Sequence, residues 1–430
     1  MSKLFGTLNI KDDGYLYIGN HNLHSLAKKY GTPLVVYDLD GIKEKIESYK
    51  SSFKWNNISV EIIYASKAFL NSSFVQFIKQ AGLSLDVVSG GEIYIAIKNG
   101  FPPERLHFHG NNKTKEEIIY ALESGVKNFI IDHADEYHLI KDLLKNSNRS
   151  IDVFIRLNTG IEAHTHKFIM TSHVESKFGI SIHSKELQKI LSDISSRDNM
   201  RLMGFHAHIG SQIYDVRPYL KTLKVLFKFT KEMNEKHQLN ISTLNLGGGF
   251  GIYYSKTDDF IDIKSSAKLL EKTLTEIDPE GIIKKILIEP GRSLVGNFAA
   301  TLYSVGSIKK TTGDKTYVFV DGGMTDNPRY VLYGAHYEVL VANRCYSPFK
   351  RTYSVAGKIC ESGDVIVEDA LLSYVEKGDV LAVLSTGAYN YSMASNYNKA
   401  LKPAVLFISG KKHYLTTRRE TYEDLLKLDV

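Results

Sequence analysis

Three short stretches carry residue types that could do chemistry together. Lys67 ends an apolar run in Tyr64-Ala-Ser-Lys67-Ala. An amine partly buried there is costly to charge, so its neutral form could attack a carbonyl and form a Schiff base; the plain alternative is a lysine that keeps a strand end wet. Gly247-Gly-Gly-Phe-Gly251 follows a second run. Consecutive glycines let backbone N–H groups converge on a phosphate, or simply make a flexible turn. Glu289-Pro-Gly-Arg292 follows a third run and sets a carboxylate beside a guanidinium. That pair can be structural, but a carboxylate against a pyridine nitrogen keeps the ring protonated and able to accept electrons.

An amine, a phosphate loop and a strand-end carboxylate are together the parts that pyridoxal 5'-phosphate requires. His206 and His208 stand two apart on one predicted strand and so share a face. No third ligand of suitable spacing accompanies them, so a metal is not expected, and a flat imidazole stacked on a cofactor ring, with His208 favoured, is the better reading. Asp86, Ser89, Glu92, His109, Asn111 and Asp132 lie at other strand ends, where each could support such a site or merely cap a loop. Cys360-Glu-Ser-Gly-Asp364 places a thiol beside a carboxylate in a turn; it is either a buried structural cysteine or a weak acid able to hand over a proton.

The elements that must position these residues are legible as a rhythm. Apolar runs at 60–64, 83–88, 106–109, 129–132, 151–157, 202–208, 243–246 and 285–289 each stop at polar or glycine residues, with helical periodicity between them. Eight such units over about 250 residues predict a (β/α)8 barrel, whose chemistry collects on the loops after the strands. After Arg292 closely spaced runs at 316–320, 351–359, 380–384 and 404–407 predict a mainly β domain, and the runs at 15–18 and 34–37 could complete it from the other end of the chain. The expected division is therefore a barrel over 38–292, with 1–37 and 293–430 forming a β-rich domain.

Length and composition agree with that plan. The 430 residues exceed what one core usually organises, and 43% hydrophobic with 24% charged residues is ordinary for a folded protein. A net charge of +6 with interleaved signs advertises neither nucleic acid nor membrane, so a small-molecule ligand is expected. Two cysteines, Cys345 and Cys360, cannot build a disulfide framework or a CxxC metal cluster and suit a reducing, cytoplasmic setting. No signal peptide or membrane-length apolar run is present in the sequence.

These motifs also carry a resemblance. Beside those already quoted, Asp86-Val-Val-Ser-Gly-Gly-Glu92, His164-Thr-His166 with Ser176-Lys-Phe-Gly179, His206-Ala-His-Ile-Gly-Ser-Gln212, Asn327-Pro-Arg329 with Tyr333-Gly-Ala335, and Gly387-Ala-Tyr389 occur in order along nearly the whole chain. The chain resembles the diaminopimelate decarboxylase family of fold-type III pyridoxal-phosphate enzymes, from which Ala207 between the two histidines is a minor departure. The resemblance implies that Lys67 holds the cofactor, His208 stacks on its ring and Glu289 pairs with its pyridine nitrogen, with Asp86 among the cofactor-binding residues. Ser211, Gly248, Gly249, Gly291, Arg292 and Tyr389 would surround its phosphate or lie beside it. Arg292, Arg329, Tyr333, Glu361 and Tyr389 would bind substrate, and Cys360 would donate a proton across a homodimer interface to the neighbouring subunit's site.

The implied reaction converts meso-diaminopimelate to L-lysine and carbon dioxide. That substrate presents a distal carboxylate and a distal ammonium, which Arg292 with Arg329 and Glu361 respectively suit. Decarboxylases of ornithine, arginine or carboxynorspermidine, or a cofactor-binding regulatory relative, are the alternatives. Retention of both Lys67 and Cys360 argues against the last.

Overall fold

The computed structural model describes residues 2–145, 147–161, 176–256, 258–346 and 350–430. Two units emerge from it: residues 46–251 with 260–291, and residues 1–45 with 252–259 and 292–430.

In the first unit, short runs rich in branched and aromatic residues become strands β1 Ser59–Ala65, β2 Ser84–Val87, β3 Leu106–Phe108, β4 Asn128–Ile131, β5 Ile151–Asn158, β6 Met200–His206, β7 Thr243–Asn245 and β8 Lys285–Ile288. Each pairs in parallel with the next, and β8 pairs in parallel with β1 from Lys285 opposite Ser59 to Ile288 opposite Ile62, which closes the ring. A closed parallel sheet has no edge and both faces covered, so β2 and β3 are buried at every residue.

The turns at the C-terminal end of the barrel are held by helix caps written into the sequence. Asn71 Oδ1 accepts the Phe74 N–H at 2.9 Å to start the helix Ser72–Gln80. Thr114 and Glu117 form a reciprocal capping box at Lys115–Glu123. After β2, Glu92 Oε2 accepts the Val88 N–H at 2.8 Å while Ser89 caps the helix Gly90–Lys98. After β3, Lys113 is buried with Glu136: its Nζ donates to Glu136 Oε1 at 2.6 Å, Gly110 O at 2.9 Å and Ile130 O at 2.8 Å. Those bonds satisfy the ammonium and pin the loop that carries His109 and Asn111. Removing one partner of such a pair typically costs about 3–5 kcal/mol.

The second unit is mainly β. Its longest strand, Ala299–Lys310, pairs antiparallel with Leu34–Asp38 and with Val380–Leu384 through its first half and with Thr316–Val320 through its second. A register shift between Val305 and Ser307, at Gly306, separates the halves. Leu34–Asp38 also pairs in parallel with Ala404–Ser409, so the N-terminal run at 34–37 does join a sheet with the C-terminal strands. Ile252 and Tyr254 are buried in one core of this unit with Tyr303, Val318 and Val355. No helix among the described residues is long and apolar enough to cross a membrane.

Candidate active site

The strand ends of the barrel unit surround a cavity of about 330 Å³ whose walls include Lys67, Asp86, His109, Arg156, His208 and Glu289. Lys67 sits on a single 3-10 turn, Ser66–Ala68, between buried neighbours. The sequence suggested a partly buried amine. The residue is instead exposed, because β1 ends at Ala65 and the turn presents position 67 at the cavity's rim.

Glu289, just past β8, is approached by three side chains. Asn245 Nδ2 donates to its Oε1 at 2.6 Å, His109 Nε2 lies 2.8 Å from the same oxygen, and His206 Nε2 lies 3.3 Å from Oε2. Burial alone would raise this carboxyl, but the two imidazoles hold it well below the usual carboxylate range. Asn245 also accepts the Gly247 N–H at 2.9 Å and so ties the carboxylate to the glycine loop. Asp86, buried on β2, places Oδ1 4.0 Å from His109 Nε2. Glu92, behind it, is pushed up to about 7 by burial, with the Asp86 charge adding to the effect.

His206 and His208 were expected on one strand face. β6 stops at His206, so His208 belongs to the following loop and the alternation argument does not reach it. Both nevertheless line the cavity. Burial lowers His206 to about 4 and takes His208 well below its ordinary value, so both rings are neutral near pH 7. The Gly248 N–H donates to His208 Nδ1 at 3.1 Å, which fixes the tautomer with its proton on Nε2.

The glycine loop is built for close approach. A Cβ on Gly248 would stand 2.0 Å from Glu289 O, and one on Gly249 2.1 Å from Gly210 O. The loop pairs with the segment after Ser211, where the Ile213 N–H donates to Gly249 O at 2.9 Å. Gly291 lies against Ala65, at the root of the Lys67 turn. Ser211, Gly248, Gly249 and Gly291 stand outside the cavity wall itself. The Ser176–Gly179 segment contributes Phe178, whose ring lies 4.4 Å from the Arg156 guanidinium. His164-Thr-His166 lies outside the described residues.

The second unit gathers the other predicted residues around phenols. Buried Arg292 donates from a guanidinium nitrogen to Tyr254 Oη at 2.6 Å and lies 4.6 Å from the centre of the Tyr389 ring. Tyr389 holds φ at +61°, a left-handed conformation uncommon for a bulky residue. Arg329, also buried, donates to Tyr337 Oη at 2.9 Å and lies 4.9 Å from the Tyr254 ring and 5.8 Å from that of Tyr333. Among the described residues no carboxylate comes within 4.0 Å of Arg329, and its Nε has no hydrogen-bond partner. Cys360 is exposed, with its N–H donating to Asn398 Oδ1 at 2.8 Å, and Glu361 accepts from Tyr397 Oη at 3.3 Å. The Asp364 carboxylate accepts the Met324 N–H at 2.6 Å and the Ile359 N–H at 2.7 Å, joining the turn that bears Cys360 to the segment leading into Arg329.

Sequence reasoning passed over Arg156, Asn245, Tyr254 and Tyr337. The first two had a usable signal, a polar residue near the end of an apolar strand. The tyrosines had none among the 26 of the chain.

Residues 39–296 match the family model of the pyridoxal-dependent decarboxylase pyridoxal binding domain. Diaminopimelate decarboxylase of Bacillus subtilis (strain 168) is 44% identical over 429 residues, 99% of this chain and 98% of that protein. The Staphylococcus aureus (strain COL) diaminopimelate decarboxylase is 43% identical, covering 99% of this chain and 100% of its own. The chain belongs to the diaminopimelate decarboxylase family. A crystal structure of the family's M. jannaschii member in complex with L-lysine superposes with a TM-score of 0.92 at 34% identity, covering 99% of this chain and 98% of that one.

The cavity fits the cofactor of this decarboxylase family. It offers one amine at the rim, a flat neutral imidazole wall, a carboxylate held ionised at depth, and volume for a small ligand. The glycine loop also orients that imidazole, since the Gly248 N–H donates to His208 Nδ1.

Proposed function

We propose that this chain is a pyridoxal 5'-phosphate-dependent decarboxylase that converts meso-diaminopimelate to L-lysine and carbon dioxide. The observation that carries the substrate is Arg329, a permanently charged, buried guanidinium with phenols for neighbours and no carboxylate within 4.0 Å among the described residues. A cation so placed suits a carboxylate brought by the ligand. Ornithine and lysine end in an ammonium and offer none at that end.

The cofactor, when bound, supplies an electron sink for the electrons left behind by the departing carboxylate. Lys67 would hold it through its amine, Glu289 would keep a proton on its ring nitrogen, and His208 would stack on the ring. Asp86 supports the polar wall, and Ser211, Gly248, Gly249, Gly291, Arg292 and Tyr389 hold the phosphate end. Arg292 and Arg329 bind the distal carboxylate of the substrate with Tyr333 and Tyr389, and Glu361 binds the distal ammonium. The Cys360 thiol donates the proton that replaces the lost carboxylate.

The exposure of Cys360 and Glu361 in the single chain supports their being offered to a second copy, so that the working form is a homodimer with shared sites. The two free cysteines support a cytoplasmic location. The domain division follows the same plan, a cofactor-binding barrel and a β-rich domain carrying substrate and interface residues.

Carbon dioxide release from meso-diaminopimelate, L-ornithine and L-lysine, measured with the visible absorbance of the purified protein, tests the reading. Release from meso-diaminopimelate alone is expected, and preference for L-ornithine would overturn the substrate.

A further inference from the structure

One buried group in the barrel has no part in the function as proposed. His109 stands directly after β3, fixed by its backbone N–H to Val87 O at 2.8 Å. Its Nε2 lies between two buried carboxylates, 2.8 Å from Glu289 Oε1 and 4.0 Å from Asp86 Oδ1, close enough for charge attraction although off the line of a hydrogen bond. The ring meets His206 edge to face, with centres 5.0 Å apart at 76°.

The other groups around Glu289 have reasons not to substitute for it. Arg156 lies toward Asp132, 3.9 Å from Oδ1, with its guanidinium over Phe178. His206 is a longer contact at 3.3 Å, and Asn245 divides its amide between Glu289 and Gly247. Lys67 and His208 belong to the rim and wall, and His208 Nδ1 is engaged by the Gly248 N–H. His109 is therefore the short imidazole contact to the carboxylate proposed to face the cofactor's ring nitrogen.

We propose that His109 is a positioning residue for the decarboxylation: the N–H on its Nε2 holds Glu289 as the carboxylate, so that the proton shared between Glu289 and the cofactor's ring nitrogen stays on the nitrogen. Without that close imidazole N–H the buried carboxylate becomes the better base and takes the proton, leaving a neutral ring that accepts electrons poorly. The inference rests on the cofactor reading given above.

Two variants separate holding a proton from filling space. His109→Leu removes the donor, and His109→Gln returns an N–H close to the position of Nε2. In the cofactor-free protein at pH 7, where Glu92 and Asp326 already contribute protonated-carboxyl absorbance, the infrared difference between His109→Leu and wild type should show an additional protonated-carboxyl band, which is missing from the same difference for His109→Gln and for the double variant His109→Leu/Glu289→Gln. In the loaded protein, His109→Leu should lose about 10²-fold in kcat, the usual scale for losing one donor to a critical charge, with KM changed less than about threefold. His109→Gln should recover most of that loss, and the visible band of His109→Leu should shift from that of wild type.

Equal losses in the two variants with wild-type infrared and visible spectra would overturn the proposal, as would full kcat in His109→Leu. If His109→Leu does not fold by circular dichroism, His109→Asn, whose shorter amide stops short of Glu289, takes its place with the same expectations. The functional reading fails separately: wild type that neither takes up the cofactor nor releases carbon dioxide refutes that reading, while the infrared comparison still decides whether His109 governs Glu289.

Discussion

The two charged clusters of this molecule solve opposite problems. In the barrel, Glu289 accepts a hydrogen bond from Asn245 and has imidazole nitrogens of His109 and His206 at 2.8 and 3.3 Å, so a buried anion is balanced from within. In the β-rich unit, Arg292 and Arg329 flank the ring of Tyr254 and lean on phenols, and Arg329 reaches no carboxylate among the described residues. A buried charge left without its opposite is costly. The contrast teaches which cluster is balanced by its own neighbours and which leaves a charge for a ligand to answer; on the function proposed above, the first would hold a proton in place and the second would receive a carboxylate.

The largest effect should come from the barrel. Lys67→Ala is expected to abolish the visible absorbance of the loaded protein and to reduce turnover to that of the blank, while circular dichroism stays unchanged, because an exposed side chain with little packing is lost. Retention of turnover would end the claim that the barrel holds the cofactor through this amine. Arg329→Ala should come next. Removing one partner of a desolvated charge pair costs about 2–5 kcal/mol, so kcat/KM for meso-diaminopimelate should fall by at least about 30-fold. An unchanged kcat/KM would mean that the socket takes no carboxylate.

Mixed dimers sharpen the comparison by asking whether the clusters of one chain serve one site. Lys67→Ala and Cys360→Ala proteins should each be nearly inactive. Refolded together with random exchange, about half the dimers are mixed and each of those has one intact site, so about a quarter of all sites should recover carbon dioxide release. Demonstrated exchange without recovery would place Cys360 in its own chain's site or remove it as proton donor.

The smallest effects concern pH. Each unit holds a carboxyl pushed up by burial to about 7, Glu92 in the barrel and Asp326 beside Tyr303 in the β-rich unit. In both, the folded state binds the proton more tightly than the unfolded chain. Their contribution is therefore complete below about pH 4 and is lost as pH rises through about 7. Glu92→Gln and Asp326→Asn should each flatten the fall in melting temperature between pH 5 and 8. A melting profile as steep as that of wild type would show that the carboxyl does not titrate there.

The barrel was readable because each of its strands ends in the same punctuation: Lys67, Ser89, Asn111, Gly160 and Gly247 all follow an apolar run closely. The strand Ala299–Lys310 was not, since its second half, Val305 to Lys310, is a lysine-rich and mostly exposed continuation of a buried first half. Nothing local marks residues 252–259 as belonging with the β-rich unit; only the burial of Ile252 and Tyr254 among its strands does so. The site divides in the same way. Lys67, Glu289 and the glycines carry motif spacing, whereas the partners of Glu289 come from β3, β6 and β7, and a hydrogen bond between strands leaves no spacing to read.

The Asp364 carboxylate fixes two pieces of chain at once, with one oxygen on the Met324 N–H and the other on the Ile359 N–H. The separation of the thiol turn from the guanidinium segment is thus set by the reach of a single carboxylate. For anyone reshaping substrate choice, this means that lengthening the 324–328 loop to accommodate a longer molecule would also retune the reach of Cys360, and the two distances would have to be redesigned as one.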